Sequence, residues 1–418
     1  MKRYRLKKKY RIRLKIFCVF ILIIFIFIYC FNKFNNKKEI NVEKRITSFY
    51  SSISYNNDVK LEKEIKDKII SFLNSYYESL YYLEELDMTK YYMNDNSAYL
   101  NQMSLKYYIE TRLKKRINLK MDECSYSLYV DSVTYEDDMY NIVIKENSNI
   151  KFIGLNGIET KLYNIELNFK YKLVDGEYLL YDFDRLQDYF LMFREDLEDV
   201  SFDNFKSTID LSYQKYTLQQ TEEIEKENIF YEQAQIEEYV KKECDYSYDR
   251  EKAKEYASKW VNKRNLDVWE KYDDWGGNCQ NYASQVLYSG GIPMDTVGNQ
   301  YEQWKHYGAT VNESNSKNGR SYSWTVAPYF YQYARDNIGY GLCASVDVNY
   351  YYAESGDILQ ISYNNEIKHT TVVLDKVEKD GKLIDIIVNS NTNDYENFPI
   401  SAFGVPTKTL IKIDGYNK

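Results

Sequence analysis

The sequence predicts an α+β protein that follows a short basic arm and a transmembrane helix. Apolar side chains recur every three or four positions over residues 59–86, as they do in an amphipathic helix. Strand-like segments follow, and a second run of helices and then strands fills residues 246–418. Helices followed by strand meanders, rather than regularly alternating with strands, predict the α+β class. A chain of 418 residues, with 44% hydrophobic and 28% charged residues, is long enough for two or three domains.

The N-terminus combines the basic arm with an apolar segment. Residues 1–15 carry nine Lys and Arg side chains and no acid, and residues 16–31 read IFCVFILIIFIFIYCF. As a helix this segment spans about 24 Å, slightly less than a hydrocarbon core of roughly 30 Å, and flanking polar residues can cover the difference. No small residues follow at a cleavage site, so we predict an uncleaved signal anchor. The positive charge places residues 1–15 in the cytoplasm and the bulk outside, as a single-pass protein of the cell membrane.

Composition and turn signals divide the chain into four segments. We predict the arm and anchor at residues 1–40, an α+β extracellular domain at 46–215, a helical linker at 216–245 and a second α+β domain at 246–418. The expected packing of helices in a curved antiparallel sheet at 46–215 resembles, in shape only, the cone of nuclear transport factor-like folds. A net charge of −8 and the apolar segment after the basic arm argue against nucleic acid as a partner.

Four of the six cysteines follow the anchor, and none belongs to a C-x-x-C pair. We therefore expect no zinc site and no cofactor, while a disulfide stays open. One of the four, Cys279, lies in WGGNCQNYASQ, between two glycines and a helical pattern that ends at residues 290–291. Backbone N–H groups at a helix start lower a thiol pKa and can hold an oxyanion, so Cys279 is the candidate nucleophile. The more common role of a free cysteine is packing.

The candidate base is His369. The other histidine outside the anchor, His306, has no evident partner, and we predict a surface or structural role for it. His369 lies on the middle strand of a three-strand meander over residues 356–391. A three-residue loop at 379–381 would place Asn391 opposite His369, where its side chain could orient the imidazole toward the thiol. The alternatives are Ser390 and Thr392, which a two-residue loop would bring opposite, and the nearby Asn389 and Asp394.

Several segments together resemble a known bacterial family. GGNCQNYASQVLYSGGIPM, SYSWTVAPYF, GDILQ and HTTVVLDKV, in this order within about residues 246–415, are similar to the putative amidase domain family. That family is related to the NlpC-type and papain-like cysteine hydrolases. The resemblance implies a papain-like α+β fold with Cys279 as nucleophile and His369 as base. The chain departs from the family at Asn278, where an acid is usual, and at Asn391, where a histidine is usual.

These residues together predict a membrane-anchored extracellular cysteine amidase or peptidase that uses Cys279, His369 and Asn391. The expected partners are the lipid bilayer, through residues 16–31, and an amide or peptide substrate. The extracellular location suggests cell-wall peptide as that substrate. The departure at Asn391 favours an alternative, a catalytically inactive, membrane-tethered binding or assembly protein.

Overall fold

One mixed sheet organises the part of the chain that the computed structural model describes, which is residues 45–185, 188–198, 200–299, 301–404 and 407–418. Ser48–Lys418 form one compact unit. The described helices are α1 (Lys63–Tyr82), α2 (Asp95–Lys114), α3 (Asp188–Glu195), α4 (Phe205–Ile236), α5 (Arg250–Trp260), α6 (Cys279–Ser289), α7 (Tyr322–Thr325) and α8 (Ala327–Asp336). The described strands are β1 (Tyr50–Tyr55), β2 (Met121–Glu136), β3 (Met139–Phe152), β4 (Glu159–Val174), β5 (Glu177–Arg185), β6 (His306–Tyr307), β7 (Gly319–Arg320), β8 (Gly341–Val348), β9 (Ile358–Tyr363), β10 (Glu366–Lys379), β11 (Lys382–Ser390), β12 (Asp394–Pro399) and β13 (Thr407–Asn417).

The sheet joins the two halves of the described chain through β4. Its strands follow the order β1-β2-β3-β4-β12-β11-β10-β9-β13-β8, and β5 also pairs with β4. The first part of β4 pairs with β12, while the later part, from Leu167 to Val174, pairs with β5. Only the β1–β2 pairing of this sheet is parallel. The predicted regions 46–215 and 246–418 thus share a sheet, and independent folding of either stays a prediction.

The predicted α+β class is confirmed, and so are several of its elements. The helix predicted at 59–86 is present as α1, and the meander predicted at 356–391 is present as β9, β10 and β11. The helix predicted in the linker at 216–245 begins earlier than expected, as α4. Ile209, before the predicted linker, and Tyr216, its first residue, are both buried in the core. These contacts hold the first turns of α4 against the rest of the protein.

The predicted transmembrane segment, residues 16–31, lies outside the described residues. Within the described ranges, no helix combines the length and the apolar character that crossing a membrane requires. The longest of them, α4, has 32 residues, but glutamates and lysines interrupt its apolar positions.

The strand that carries His369 separates two hydrophobic clusters. Val372 and Leu374 of β10 belong to the same cluster as Tyr282 of α6. Val373 belongs to the other cluster, together with Tyr395 of β12. Because side chains alternate along a strand, odd- and even-numbered residues near His369 face different environments. The helix with the candidate nucleophile lies on the even-numbered side.

A disulfide joins Cys244, in the segment after α4, to Cys343 on β8. The same segment is also held by Lys242, whose Nζ donates to the carbonyl of Ala344 at 2.6 Å. Among the described cysteines, Cys124 and Cys279 are free. The sequence left open whether a disulfide forms; the structure shows one between Cys244 and Cys343, and Cys279 keeps a free thiol.

Candidate active site

The backbone before Cys279 turns sharply and delivers it as the first residue of α6. Gly276 and Gly277 have φ angles of 95° and 118°, which residues with a Cβ rarely adopt. The N–H of Asn278 then donates to Thr392 Oγ1 at 2.6 Å. This bond connects the turn to the chain just beyond β11, so the start of α6 lies beside the meander.

The thiol of Cys279 lies against β10, at the residue that follows His369. Burial raises the pKa of Cys279, whereas the backbone N–H groups of Thr370 and Gln280 and the Thr370 hydroxyl oppose this rise. Burial has the larger effect, so the predicted lowering of this pKa is wrong for the resting structure. Part of the Cys279 residue stays exposed, although its thiol group is buried.

The imidazole of His369 is buried and held from the β11 side. Its Nε2 lies 2.6 Å from Ser390 Oγ, and its ring meets the edge of Tyr395 with the centroids 5.9 Å apart. Burial lowers the pKa of His369 to about 4, so the ring is neutral at physiological pH. Ser390 Oγ also lies 3.2 Å from the carbonyl of Thr370. If the Ser390 hydroxyl donates its proton to the Thr370 carbonyl, its oxygen accepts a hydrogen bond from Nε2–H of His369. In that tautomer Nδ1 of His369 has the free lone pair that a base requires.

The hairpin between β10 and β11 explains why Ser390 holds this position. Lys379 pairs with Lys382, so the loop has two residues and the predicted three-residue loop is wrong. Two irregularities interrupt the ladder, which reaches Val372 paired with Asn389. Beyond that pair the strands separate, and Ser390 meets His369. The sequence analysis had given Ser390 or Thr392 for a two-residue loop, and Ser390 is the one that contacts His369.

Asn391, predicted to orient His369, has other partners. Its Nδ2 donates to the carbonyls of Trp260 and Val261 at 3.0 and 2.7 Å, and its Oδ1 accepts from Asn278 Nδ2 at 2.7 Å. The amide therefore fastens the turn before Cys279 to α5 and the end of β11. The Asn391 amide is buried on the side of the meander that faces α6. It therefore does not bond the imidazole of His369, which lies on the opposite side.

The two near alternatives also bond elsewhere. Asn389 Oδ1 accepts from the N–H of Asn397 at 2.8 Å. Asp394 forms an ion pair with Arg264, with 3.1 Å between the charged atoms. Ser390 is thus the side chain that contacts His369 at the position where the sequence expected an orienting group.

The structure brings Cys279 and His369 to adjacent positions without a hydrogen bond between them among the described contacts. Thr370 faces α6, where its Oγ1 donates to Gln280 Oε1 at 3.1 Å. His369 points the other way, toward Tyr395. The Thr370 backbone lies between them, with the sulfur at its N–H and Ser390 Oγ at its carbonyl. A direct contact requires the backbone around His369 to rearrange, because rotation of the side chain alone leaves the β10 strand between the ring and the sulfur.

The comparisons with known proteins concern the same part of the chain that carries Cys279 and His369. Residues 247–413 match the family model of the putative amidase domain. A similar curated protein is the "Uncharacterized protein YhbB" of Bacillus subtilis (strain 168), which is 29% identical over 164 residues. The alignment covers 39% of this chain and 48% of that protein, so it spans about half of the relative's length. No solved structure matches.

Within the matched residues 247–413, His306 has a role that the sequence did not reveal. It is buried, and its Nε2 lies 2.9 Å from the hydroxyl of Tyr272 and 3.2 Å from Glu270 Oε2. Its ring packs against Trp269 and Trp324. A structural role agrees with these contacts, whereas a surface position does not. Both partners, Glu270 and Tyr272, lie more than thirty residues earlier in the chain, so the segment around His306 could not indicate them.

The described residues offer no metal centre built from clustered acidic, histidine and cysteine side chains. No group of three or more His, Cys, Asp and Glu side chains in the described ranges is placed to hold a metal ion.

The low pKa of His369 predicts a pH-dependent stability. A histidine in an unfolded chain has a pKa near 6.5. Between about pH 6.5 and pH 4, His369 is therefore protonated in the unfolded chain and neutral in the folded chain. His369 should therefore cost the fold about 3 kcal/mol as the pH falls through this window. Asp385 acts with the opposite sign, because burial raises its folded pKa to about 6.

The contribution of His369 is isolated by comparing the wild type with His369→Gln. Chemical unfolding of both proteins at pH 7, 6, 5 and 4 should show a difference in unfolding free energy that narrows toward low pH. Asp385 contributes equally to both curves and cancels. A difference that is independent of pH would show that His369 titrates normally in the folded chain.

Proposed function

We propose that this chain is a cysteine-dependent amidase in which Cys279 is the nucleophile and His369 the base. The observation that carries the proposal is the position of the Cys279 sulfur, at a helix start and beside the backbone N–H groups of Gln280 and Thr370. Such N–H groups can stabilise the oxyanion that forms when a carbonyl is attacked. The match to the putative amidase domain supports the same reaction class.

The reaction follows the order of a thiol protease. The sulfur attacks the amide carbonyl while its proton passes to Nδ1 of His369, which approaches after the rearrangement of β10 described above. The carbonyl oxygen becomes an oxyanion and accepts hydrogen bonds from backbone N–H groups at the start of α6. The imidazolium returns the proton to the leaving amine, and the C–N bond breaks. Water, deprotonated by His369, then hydrolyses the thioester and releases the acid.

Ser390, rather than Asn391, orients the base in this proposal. Ser390→Ala removes the hydroxyl that contacts Nε2 and should lower kcat about 10- to 100-fold with little change in KM or melting temperature. Ser390→Thr keeps a hydroxyl and should recover most of the activity. Asn391→Ala should instead lower the unfolding free energy by about 2 kcal/mol, because it leaves buried carbonyls without donors.

Steady-state kinetics and thermal unfolding of these variants separate the two assignments. A loss of kcat in Asn391→Ala at unchanged stability, with full activity in Ser390→Ala, would return the orienting role to Asn391. Equal and small effects in both would show that neither side chain orients His369.

The expected setting of this amidase is the outer side of the cell membrane. Residues 16–31 supply an apolar segment that can serve as an anchor with help from flanking polar residues, and the Cys244–Cys343 disulfide fits an oxidising compartment. A peptide of the cell wall is the amide substrate that such a location offers. Incubating the full chain with peptidoglycan fragments and with model peptide amides tests this. Hydrolysis gives products whose summed mass exceeds that of the substrate by one water.

A second candidate function is binding or assembly without catalysis. Asn278 and Asn391 bond to each other, so two uncharged amides stand where relatives usually have an acid and a histidine. In addition, His369 faces away from α6 at rest. A full chain that retains peptidoglycan fragments but releases no hydrolysed product from any amide would favour this function over the amidase.

A further inference from the structure

The outer face of α4 carries an apolar stripe that the proposed amidase chemistry does not use. Leu211, Leu218, Ile229 and Ile236 form this α4 stripe and are 67%, 68%, 57% and 83% exposed. They are separated by seven, eleven and seven residues, which places them within about 20° of one line along the helix at roughly 100° per residue. The buried residues of the helix lie on the opposite side: Ile209, Ser212, Tyr216, Gln220 and Glu227.

The α4 stripe is symmetric about the middle of the helix. Leu211 and Ile236 are equally far from a midpoint between residues 223 and 224, and so are Leu218 and Ile229. Two copies of α4 packed antiparallel around a two-fold axis at this midpoint would therefore place a leucine against an isoleucine at every contact. A two-fold interface must be complementary to itself, and this spacing satisfies that condition.

In the same antiparallel arrangement, the charged side chains near the midpoint of α4 partly compensate each other between the two copies. Glu222 and Glu225 lie between the inner pair of apolar residues, so carboxylates of the two copies approach each other near the axis. Lys226 lies on the same flank as Glu222, and in the antiparallel arrangement it comes opposite Glu222 of the second copy. Exposed pairs of this kind contribute about 0.2–1 kcal/mol each, enough to offset part of the repulsion.

We propose that the α4 stripe is an antiparallel dimer interface between two copies of this chain. Four aliphatic side chains from each copy form a contact smaller than the roughly 800 Å² per partner of a standard interface. The dimer should therefore be weak, with a Kd on the order of micromolar or above. Tethering both copies to one membrane would raise their local concentration and favour it.

Variants that introduce a charge into the α4 stripe test the pairing of the two helices. The full chain is used, purified in detergent micelles. Leu218→Lys and Ile229→Glu each place a charge against an apolar residue and should weaken dimerisation at least about tenfold in sedimentation equilibrium. The double variant places the lysine opposite the glutamate of the second copy and should recover most of the affinity. The matched control is Ile338→Lys, at an aliphatic residue 93% exposed outside the stripe, which should have no effect.

A cross-link tests the direction of the pairing. In a chain whose Cys18, Cys30, Cys124 and Cys279 are replaced by serine, Leu211→Cys and Ile236→Cys together should form disulfide-linked dimers on mild oxidation. Each alone should not, because in an antiparallel pair the two copies of one position lie about 37 Å apart. Self-linking of the single variants would indicate parallel packing and overturn the proposal.

Three further results would also overturn it: a wild-type chain that is monomeric at every concentration, single charge variants that dimerise normally, or a double variant that is not rescued. If residues 1–44 or the detergent micelle cover the α4 stripe, the wild-type chain would be monomeric at every concentration, and this result would also overturn the proposal. Amide hydrolysis by the monomer is a separate readout, so failure of the dimer and failure of the amidase are distinguishable.

Discussion

Replacing Cys279 by alanine should lower kcat/KM for amide hydrolysis at least about 10³-fold. The alanine removes the sulfur that forms the thioester, and a site that keeps only its oxyanion donors retains a small part of the catalysis. The structure should survive, because the change removes a single sulfur atom and keeps the backbone with which α6 begins. Product formation from a model peptide amide, measured against protein of equal melting temperature, checks the expectation.

The matched control is Cys124→Ala, which removes the other free cysteine of the described chain. Cys124 lies on β2 in the N-terminal half, where burial raises its pKa, and its loss should leave kcat/KM within about twofold. A Cys279→Ala enzyme that turns over amides at the wild-type rate would remove the nucleophile from the proposal. An equal loss in both cysteine variants would indicate a folding defect.

The local features of the site could be predicted from sequence because neighbouring residues determine them. Two glycines followed by an apolar helical pattern placed Cys279 at the start of α6, and turn residues placed His369 on the middle strand of a meander. Each inference needed only a stretch of about ten residues. Hydrophobic period and turn chemistry are short-range signals, so they were sufficient here.

The features that the sequence missed depend on register and on contacts between distant segments. A loop one residue shorter than expected moved Ser390, instead of Asn391, next to His369, since a shift of one residue reverses the face of every side chain. The pairing of β4 with β12 joins segments more than 200 residues apart, and no local pattern encodes it. The pKa of Cys279 was missed because the helix start was visible in the sequence but the burial was not.

Removing the Cys244–Cys343 disulfide should cost the fold about 4 kcal/mol. The bond closes a loop with a sequence separation of 99, and in the chain-entropy model a loop of about 100 residues contributes up to about 4.7 kcal/mol. Cys343→Ser should lower the unfolding free energy in urea by this amount under oxidising conditions. Under strong reductant the wild type and the variant should coincide. A wild type as stable with reductant as without it would contradict a stabilising bond.

The same disulfide links the stability of the fold to the compartment of the protein. Cys244 lies in the segment that crosses from α4 to α5, and Cys343 lies on β8, at one end of the strand order. In a reducing cytoplasm both would be thiols, and the crossing segment would rely on bonds such as Lys242 to Ala344. Alkylating intact cells before lysis and then analysing the peptides by mass spectrometry reports the native state. A linked peptide is expected if residues 16–31 anchor the chain with its bulk outside, whereas two alkylated cysteines would place that bulk in the cytoplasm.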